Sequence, residues 1–229
     1  TISDATGTLT VTDDDSISWT AVDIATSADG AFDVEAADMD GDGDLDLISA
    51  SHADDTIAWY ENDGAANPSF TAADIATSAD AAYDVQVGDM DGDGDLDIVS
   101  ASGNDNTIAW YENDGAANPT WAAANIATSA AGARNVHLAD LDSDGDLDIV
   151  SASMTDDTIA WYENDGAANP SWSAVDITTT ADGAFDVDVA DMDGDGDLDI
   201  AWASLTDDTI GWCENDGAAN PTFAAADIA

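Results

Sequence analysis

The nine residues DMDGDGDLD, Asp38–Asp46, run straight into the apolar segment LISAS, Leu47–Ser51. The same nine recur from Asp89 and Asp191, and the variant DLDSDGDLD recurs from Asp140, with a spacing of 51 residues each time. A second run, IAWYENDGAANP, starts at Ile57, Ile108 and Ile159 and returns as IGWCENDGAANP at Ile210. Aromatic residues at Trp19, Phe70, Trp121, Trp172 and Phe223 keep the same spacing. The repeat covers Ile17–Ala229, and a fixed period of this size is the mark of a modular array.

Each unit reads as β structure. AFDVEAAD (Ala31–Asp38) alternates, and LDLISAS (Leu45–Ser51) is the short apolar run of a strand buried on both faces. TIAWYEN (Thr56–Asn62) is rich in β-branched and aromatic residues. Asn62-Asp63-Gly64 supplies a turn, Pro68 marks its exit, and SFTAADIA (Ser69–Ala76) makes a fourth strand. No window sustains helical periodicity. Four short strands in a unit of this length predict an all-β chain, a β-propeller of four-stranded blades with four complete repeats and a partial one. One such sheet cannot bury both faces alone, so the repeated Trp59, Trp110, Trp161 and Trp212 are expected to fill the space between units. Residues 1–16 read as an N-terminal extension or partial blade, ahead of units near 17–67, 68–118, 119–169 and 170–220 and an outer strand at 221–229. Gly7–Ala25 is expected to supply two strands. Beginning at Thr1, the chain reads as a processed product or a fragment.

The acidic run carries the chemistry. Calcium takes six to eight oxygen ligands at roughly 2.3–2.6 Å, and carboxylates at alternate positions of a tight loop converge on one ion. The candidate ligands are Asp38, Asp40, Asp42, Asp44 (through its carbonyl) and Asp46. The equivalent sets are Asp89, Asp91, Asp93, Asp95 and Asp97; Asp140, Asp142, Asp144, Asp146 and Asp148; and Asp191, Asp193, Asp195, Asp197 and Asp199. About four structural Ca2+ ions per chain are expected. An EF-hand is excluded, because its twelfth position requires a bidentate Glu, and here that position holds Ser49, Ser100, Ser151 and Trp202. Zinc is disfavoured by an all-oxygen donor set in a chain with two His and one Cys.

The motif DxDxDGxxD between two short strands, in a repeat of this length, resembles the FG-GAP/VCBS repeats related to the blades of the integrin α-subunit propeller. The resemblance implies a β-propeller with calcium in the loop joining the first two strands of each blade. It implies ligation at the five Asp positions named in each unit, and an extracellular or cell-surface setting in adhesion. Members of the family commonly close with seven blades, and four complete units depart from that.

Composition narrows the partners. With 51 acidic residues, one basic residue and a net charge of −50, the chain repels nucleic acid and anionic membrane surfaces. No apolar stretch reaches the roughly 20 residues of a membrane helix. The near-absence of Lys resembles the surfaces of proteins from salt-loving organisms. A single cysteine, Cys213, excludes an internal disulfide and stands where other units have Tyr60, Tyr111 and Tyr162, as a buried substitute.

A unique site is expected where the repeats differ. In the third unit Arg134 replaces Phe32, Tyr83 and Phe185, and is expected to be satisfied by surrounding carboxylates. His137 replaces Glu35, Gln86 and Asp188 at a position read as channel-lining. Arg134, His137 and His52 are the candidate partner-facing residues, His52 lying in the variable loop after the second strand. No nucleophile–base pair or phosphate loop is present, so a non-enzymatic role is expected. The leading expectation is an extracellular calcium-binding propeller in adhesion or surface architecture, with an unidentified protein or glycan ligand. The alternatives are a filament or sheath subunit, a homo-oligomer assembled head-to-tail by strand addition, and a polysaccharide-acting enzyme domain.

Overall fold

The computed structural model describes residues 21–227. Each unit folds into its own four-stranded antiparallel sheet, with the strands side by side in chain order. In the first, β1 (Ala31–Ala37), β2 (Asp46–Ser51), β3 (Thr56–Asn62) and β4 (Phe70–Ala76) agree closely with the segments read from the sequence. The second sheet holds β5 (Ala82–Gly88), β6 (Asp97–Ser102), β7 (Thr107–Asn113) and β8 (Trp121–Ala127). The third holds β9 (Ala133–Ala139), β10 (Asp148–Ser153), β11 (Thr158–Asn164) and β12 (Trp172–Thr178). The fourth holds β13 (Ala184–Ala190), β14 (Asp199–Ser204), β15 (Thr209–Asn215) and β16 (Phe223–Asp227). There is no helix among the described residues. The two strands expected over Gly7–Ala25 lie outside them up to residue 20, and residues 21–25 carry no strand.

The turn after β3 closes on its own side chain. Asp63 Oδ1 accepts the Ala65 and Ser69 amides at 3.2 and 3.0 Å, and Ser69 Oγ donates to Oδ2 at 2.5 Å. These bonds hold the Asp63 carboxyl below its usual pKa. Gly64 takes φ 64°, and a methyl group there would collide with the Asp44 carboxylate.

The apolar cores lie between successive sheets rather than within any one. Met39, Ile57 and Trp59 of the first sheet pack on Val85, Ile98 and Tyr111 of the second. Met90, Ile108 and Trp110 repeat this on Val136, Ile149 and Tyr162. Leu141, Ile159 and Trp161 repeat it on Val187, Ile200 and Cys213. Trp59, Trp110 and Trp161 are therefore the expected inter-unit filler, while Trp212, on the outward face of the fourth sheet, is only half-buried.

Polar groups repeat at each joint. Asp33 Oδ2 accepts the Val85 amide at 3.1 Å, Asp84 Oδ2 the Val136 amide at 2.7 Å, and Asn135 Oδ1 the Val187 amide at 3.1 Å. Asp55, at φ 58°, accepts the Ala79 amide on its carbonyl and the Ala81 amide on Oδ1, both at 3.0 Å. Asn106 and Asp157 do the same for the next two joints.

The residue at position 32 and its equivalents sits at a β-bulge in every unit, skipped by the register between strands one and two. Freed from pairing, these side chains form a column across the array. Phe32 meets Tyr83 edge-on at 5.0 Å, and the Arg134 guanidinium lies 3.7 Å from the Tyr83 ring centroid and 4.9 Å from that of Phe185. This corrects the expectation for Arg134. Among the described residues its partners are rings, not carboxylates, and its Nε and Nη1 are buried without a hydrogen-bond acceptor. A planar, weakly hydrated guanidinium replaces an aromatic in a stack where an ammonium would not.

The fourth unit departs from the repeat in a compensated way. Trp202 replaces Ser49, Ser100 and Ser151, Gly211 replaces Ala58, Ala109 and Ala160, and Cys213 replaces the tyrosine. Trp202 pairs across the sheet with Gly211, and a methyl group on Gly211 would overlap the indole. The indole fills volume that the missing Tyr vacates, and burial pushes the Cys213 thiol up to about 11, an unreactive state.

Two predictions follow from these joints. Gly211→Ala is expected to cost about 1–3 kcal/mol by overpacking, and Trp202→Ser in the same chain should remove most of that penalty, as read in a double-mutant cycle by urea unfolding. Burial, opposed by the Val136 amide and reinforced by Asp33 and Asp186, raises Asp84 to about 8. Between the unfolded value near 4 and this folded value, the folded chain holds a proton that the unfolded chain has released. The stability tied to that proton is complete below about pH 4 and is lost as pH rises towards 8, by at most about 1.4 kcal/mol per unit. Asp84→Asn copies Asn135, so its stability relative to the parent should grow from pH 5 to pH 8; a pH-independent difference would contradict this.

Candidate metal centre

The acidic loop joins the first two strands of each sheet, and its backbone holds the carboxylates in place. Asp38 Oδ1 and Oδ2 accept the Asp42 and Gly43 amides at 3.1 and 3.0 Å. Asp40 Oδ1 accepts the Asp42 amide at 3.2 Å, and Asp42 Oδ1 the Asp44 amide at 2.9 Å. Gly43 makes the turn at φ 97°, a conformation that a side chain resists. The second and third loops repeat these bonds.

The loop brings together Asp38, Asp40 and Asp42, with one oxygen from each lying within 4.8 Å of the others. Asp89, Asp91 and Asp93 converge likewise, as do Asp140, Asp142 and Asp144. In the fourth unit the converging set is Asp191, Asp193 and Asp199. Oxygens sharing one calcium at roughly 2.3–2.6 Å are at most about 5 Å apart, so the spacing and the hard all-oxygen donor set fit that ion. Burial is the first cause that raises the carboxyls of Asp40, Asp91, Asp142 and Asp193, and neighbouring carboxylates add to it. A divalent cation relieves both effects.

The carboxylates at the last two candidate positions of a loop are placed differently from the first three. The side chain of Asp44, expected to ligate through its carbonyl, turns towards Gly64, as those of Asp95, Asp146 and Asp197 turn towards Gly115, Gly166 and Gly217. Asp46 is buried at the base of the loop, where Oδ2 accepts the Met39 amide at 3.1 Å and Oδ1 the Asn62 amide at 2.8 Å. Asp97, Asp148 and Asp199 make the same pair of bonds. Burial pushes Asp97 up to about 6 and Asp148 to about 7 against the pull of those amides.

The sequence reading passed over the asparagine that ends the third strand. Asn113 Nδ2 donates to Leu96 O of its own loop at 3.0 Å and to Met39 O of the preceding loop at 2.9 Å. Asn164 and Asn215 repeat the bridge onto Met90 O and Leu141 O. Its only signal was its place in the Glu-Asn-Asp-Gly run, which read as turn chemistry. Among the described residues no amide donor reaches Met192 O, Met192 is exposed, and the Asp191 contacts to the Asp195 and Gly196 amides are missing.

The partner-facing candidates divide. His52 lies 4.7 Å from the Tyr83 ring, beside the column that holds Arg134. His137 Nδ1 is 3.7 Å from Asp188 Oδ1, and Gln86 donates to Glu35 at 3.1 Å, so this position forms a polar row between units.

Residues 38–100, 89–151 and 140–202 each match the FG-GAP-like repeat family, together spanning most of the chain. The chain belongs to the FG-GAP-like repeat family. No curated protein matches it. The crystal structure of the V. cholerae biofilm matrix protein Bap1 aligns with a TM-score of 0.41 at 17% identity, over 86% of this chain and 39% of that one. The chain thus spans well under half the length of Bap1. No helix among the described residues is long and apolar enough to cross a membrane.

The loop carboxylates differ in role, and unfolding in chelator should separate them. Asp97→Ala leaves the Met90 and Asn113 amides buried and unpaired, and should cost about 3 kcal/mol. Asp93→Ala, at the exposed tip, should cost under about 1 kcal/mol.

Proposed function

We infer that this FG-GAP-like array is a non-catalytic, calcium-clamped β-propeller-type protein of the extracellular or cell-surface space, serving adhesion or surface architecture. The observation that carries the reading is the convergence of three carboxylates in each of four loops, each triad within 4.8 Å. Each loop is tied by its buried aspartate and bridging asparagine to the joint between sheets, so an ion held there stiffens the stack as well as the loop. Four divalent ions offset only eight of the 50 net negative charges, so concentrated salt should add to the stability that calcium gives.

Elemental analysis after dialysis in concentrated NaCl with calcium should find about four ions per chain, and Asp93→Ala should remove one. Chelator should lower the melting temperature of the parent, and Asp93→Ala should lose part of the calcium-dependent gain. An unchanged melt in chelator with no bound calcium would overturn the reading.

A further inference from the structure

We propose that the chain carries a second kind of site, a recurring chamber beside the third strand of a unit that takes a neutral polyhydroxylated ligand such as a sugar residue. The chambers lie at the end of the sheets away from the acidic loops, so the proposal goes beyond the calcium reading and does not depend on it.

In the third unit the chamber opens between the end of β8, with the connection that follows it, and the face of β10, β11 and β12 turned towards the second sheet. Its volume is about 430 Å³, within the roughly 300–1,000 Å³ of small-molecule sites. Ser153, at the end of β10, and Thr158, at the start of β11, are its buried floor. Asp156 and Asp176 line it, with Thr128 and Ser129 from the connection. The first unit repeats the set as Ser51, Asp54, Thr56 and Asp74, with Thr26 and Ser27, around about 420 Å³. There Ile24–Ala28 stand where Ile126–Ala130 stand in the third. The second unit holds a smaller chamber of about 200 Å³, with Asn125 in place of the outer-strand aspartate. In the fourth unit the indole of Trp202 lies over Gly211, so a ring covers the position that Ala58, Ala109 and Ala160 present to their chambers.

The lining selects its ligand by the sense of its hydrogen bonds. Thr56, Thr107 and Thr158 donate their hydroxyl protons to the carbonyls of Asp54, Asp105 and Asp156 at 3.0, 3.2 and 3.0 Å. Each threonine oxygen is then left able only to accept. The aspartates add acceptors, and no Lys, Arg or His lines any of the three chambers. In the first chamber Asp54 Oδ2 accepts the Asp29 amide at 3.1 Å, while Oδ1 is buried without a donor. A buried acceptor in that state is costly, and a hydroxyl brought beside it removes the cost. An acidic, acceptor-rich wall excludes anions and calls for a ligand rich in donors. Ile126, Ala130, Ala160 and Tyr162 complete the third chamber. A hydrated cation makes no use of such groups, whereas the C–H face of a sugar ring packs on them while its hydroxyls reach the acceptors.

The test is saturation-transfer NMR on the 229-residue chain in concentrated NaCl with calcium. The probes are methyl glucoside, methyl galactoside and methyl mannoside, with methylammonium as the cationic donor. At least one glycoside should bind. The matching polymers, dextran, galactan and mannan, separate the sources: a polymer that binds assigns a polysaccharide, and a glycoside that binds without its polymer assigns a free sugar. Copying the fourth unit's closure into the two larger chambers should remove most of the signal. That variant combines Ser49→Trp, Ala58→Gly and Tyr60→Cys with Ser151→Trp, Ala160→Gly and Tyr162→Cys. Asp74→Ala with Asp176→Ala serves if it does not fold. Both aspartates are exposed, so this second variant should melt like the parent and bind about tenfold more weakly. A parent that binds no glycoside, folded variants that bind like the parent, or binding of methylammonium in preference to every glycoside would each overturn the proposal.

Discussion

The buried carboxylate that closes each acidic loop, Asp46 and its equivalents Asp97, Asp148 and Asp199, is the point on which the architecture turns. Its two oxygens accept one amide from the loop and one from the end of the third strand. The residue at that strand end then reaches across to the preceding loop through its side-chain amide. A single chain of hydrogen bonds therefore runs from the candidate ion site, through the middle of the sheet, to the neighbouring unit. Buried bonds to a charged group are among the stronger ones, at about 1.5–3 kcal/mol each, and leaving the amides unpaired is costlier than the bonds are worth. This is why loop order and stacking order belong together in this fold.

The rest of the joint follows the same economy of position. Apolar faces supply the non-directional part of the contact, while the bulge residues, the Asp–valine amide bonds and the positive-φ Asp or Asn residues fix register between sheets. Substitutions are tolerated when the joint's geometry survives them. Arg134 enters an aromatic column because a guanidinium is planar, and Asn135 replaces an aspartate because an amide oxygen accepts the Val187 bond equally well. Trp202, Gly211 and Cys213 change together because volume removed at one position is refilled from another.

Much of this was legible before any coordinates. The period of 51 residues, the four strands per unit and the inter-unit tryptophans are written in the alternation and spacing of the sequence. The acidic loop was legible because three alternate aspartates and a glycine have few other uses in such order. What the sequence could not reveal is contact between equivalent positions of different units. Asp84 and Val136, or Asn113 and Met39, lie far apart in the chain, and nothing local marks them as partners. Arg134 misled because a lone cation amid 51 acidic residues suggests a carboxylate partner, whereas a bulge aimed it into the column of rings. Asp44 was read as a ligand through its carbonyl and Asp46 through its carboxylate; the Asp44 side chain turns to the neighbouring turn, and both Asp46 oxygens accept backbone amides, contacts that no local pattern announces.

The central claim is that an ion in the acidic loop is coupled to the joint between sheets. Amide hydrogen exchange in concentrated NaCl, with calcium and with chelator, tests it most directly. Calcium should slow exchange not only in the loop amides of Asp93 and Gly94 but also at Val85, Val136 and Val187, whose amides bond across the joints. Protection confined to the loops, with the joint amides exchanging at the same rate in chelator, would contradict the coupling.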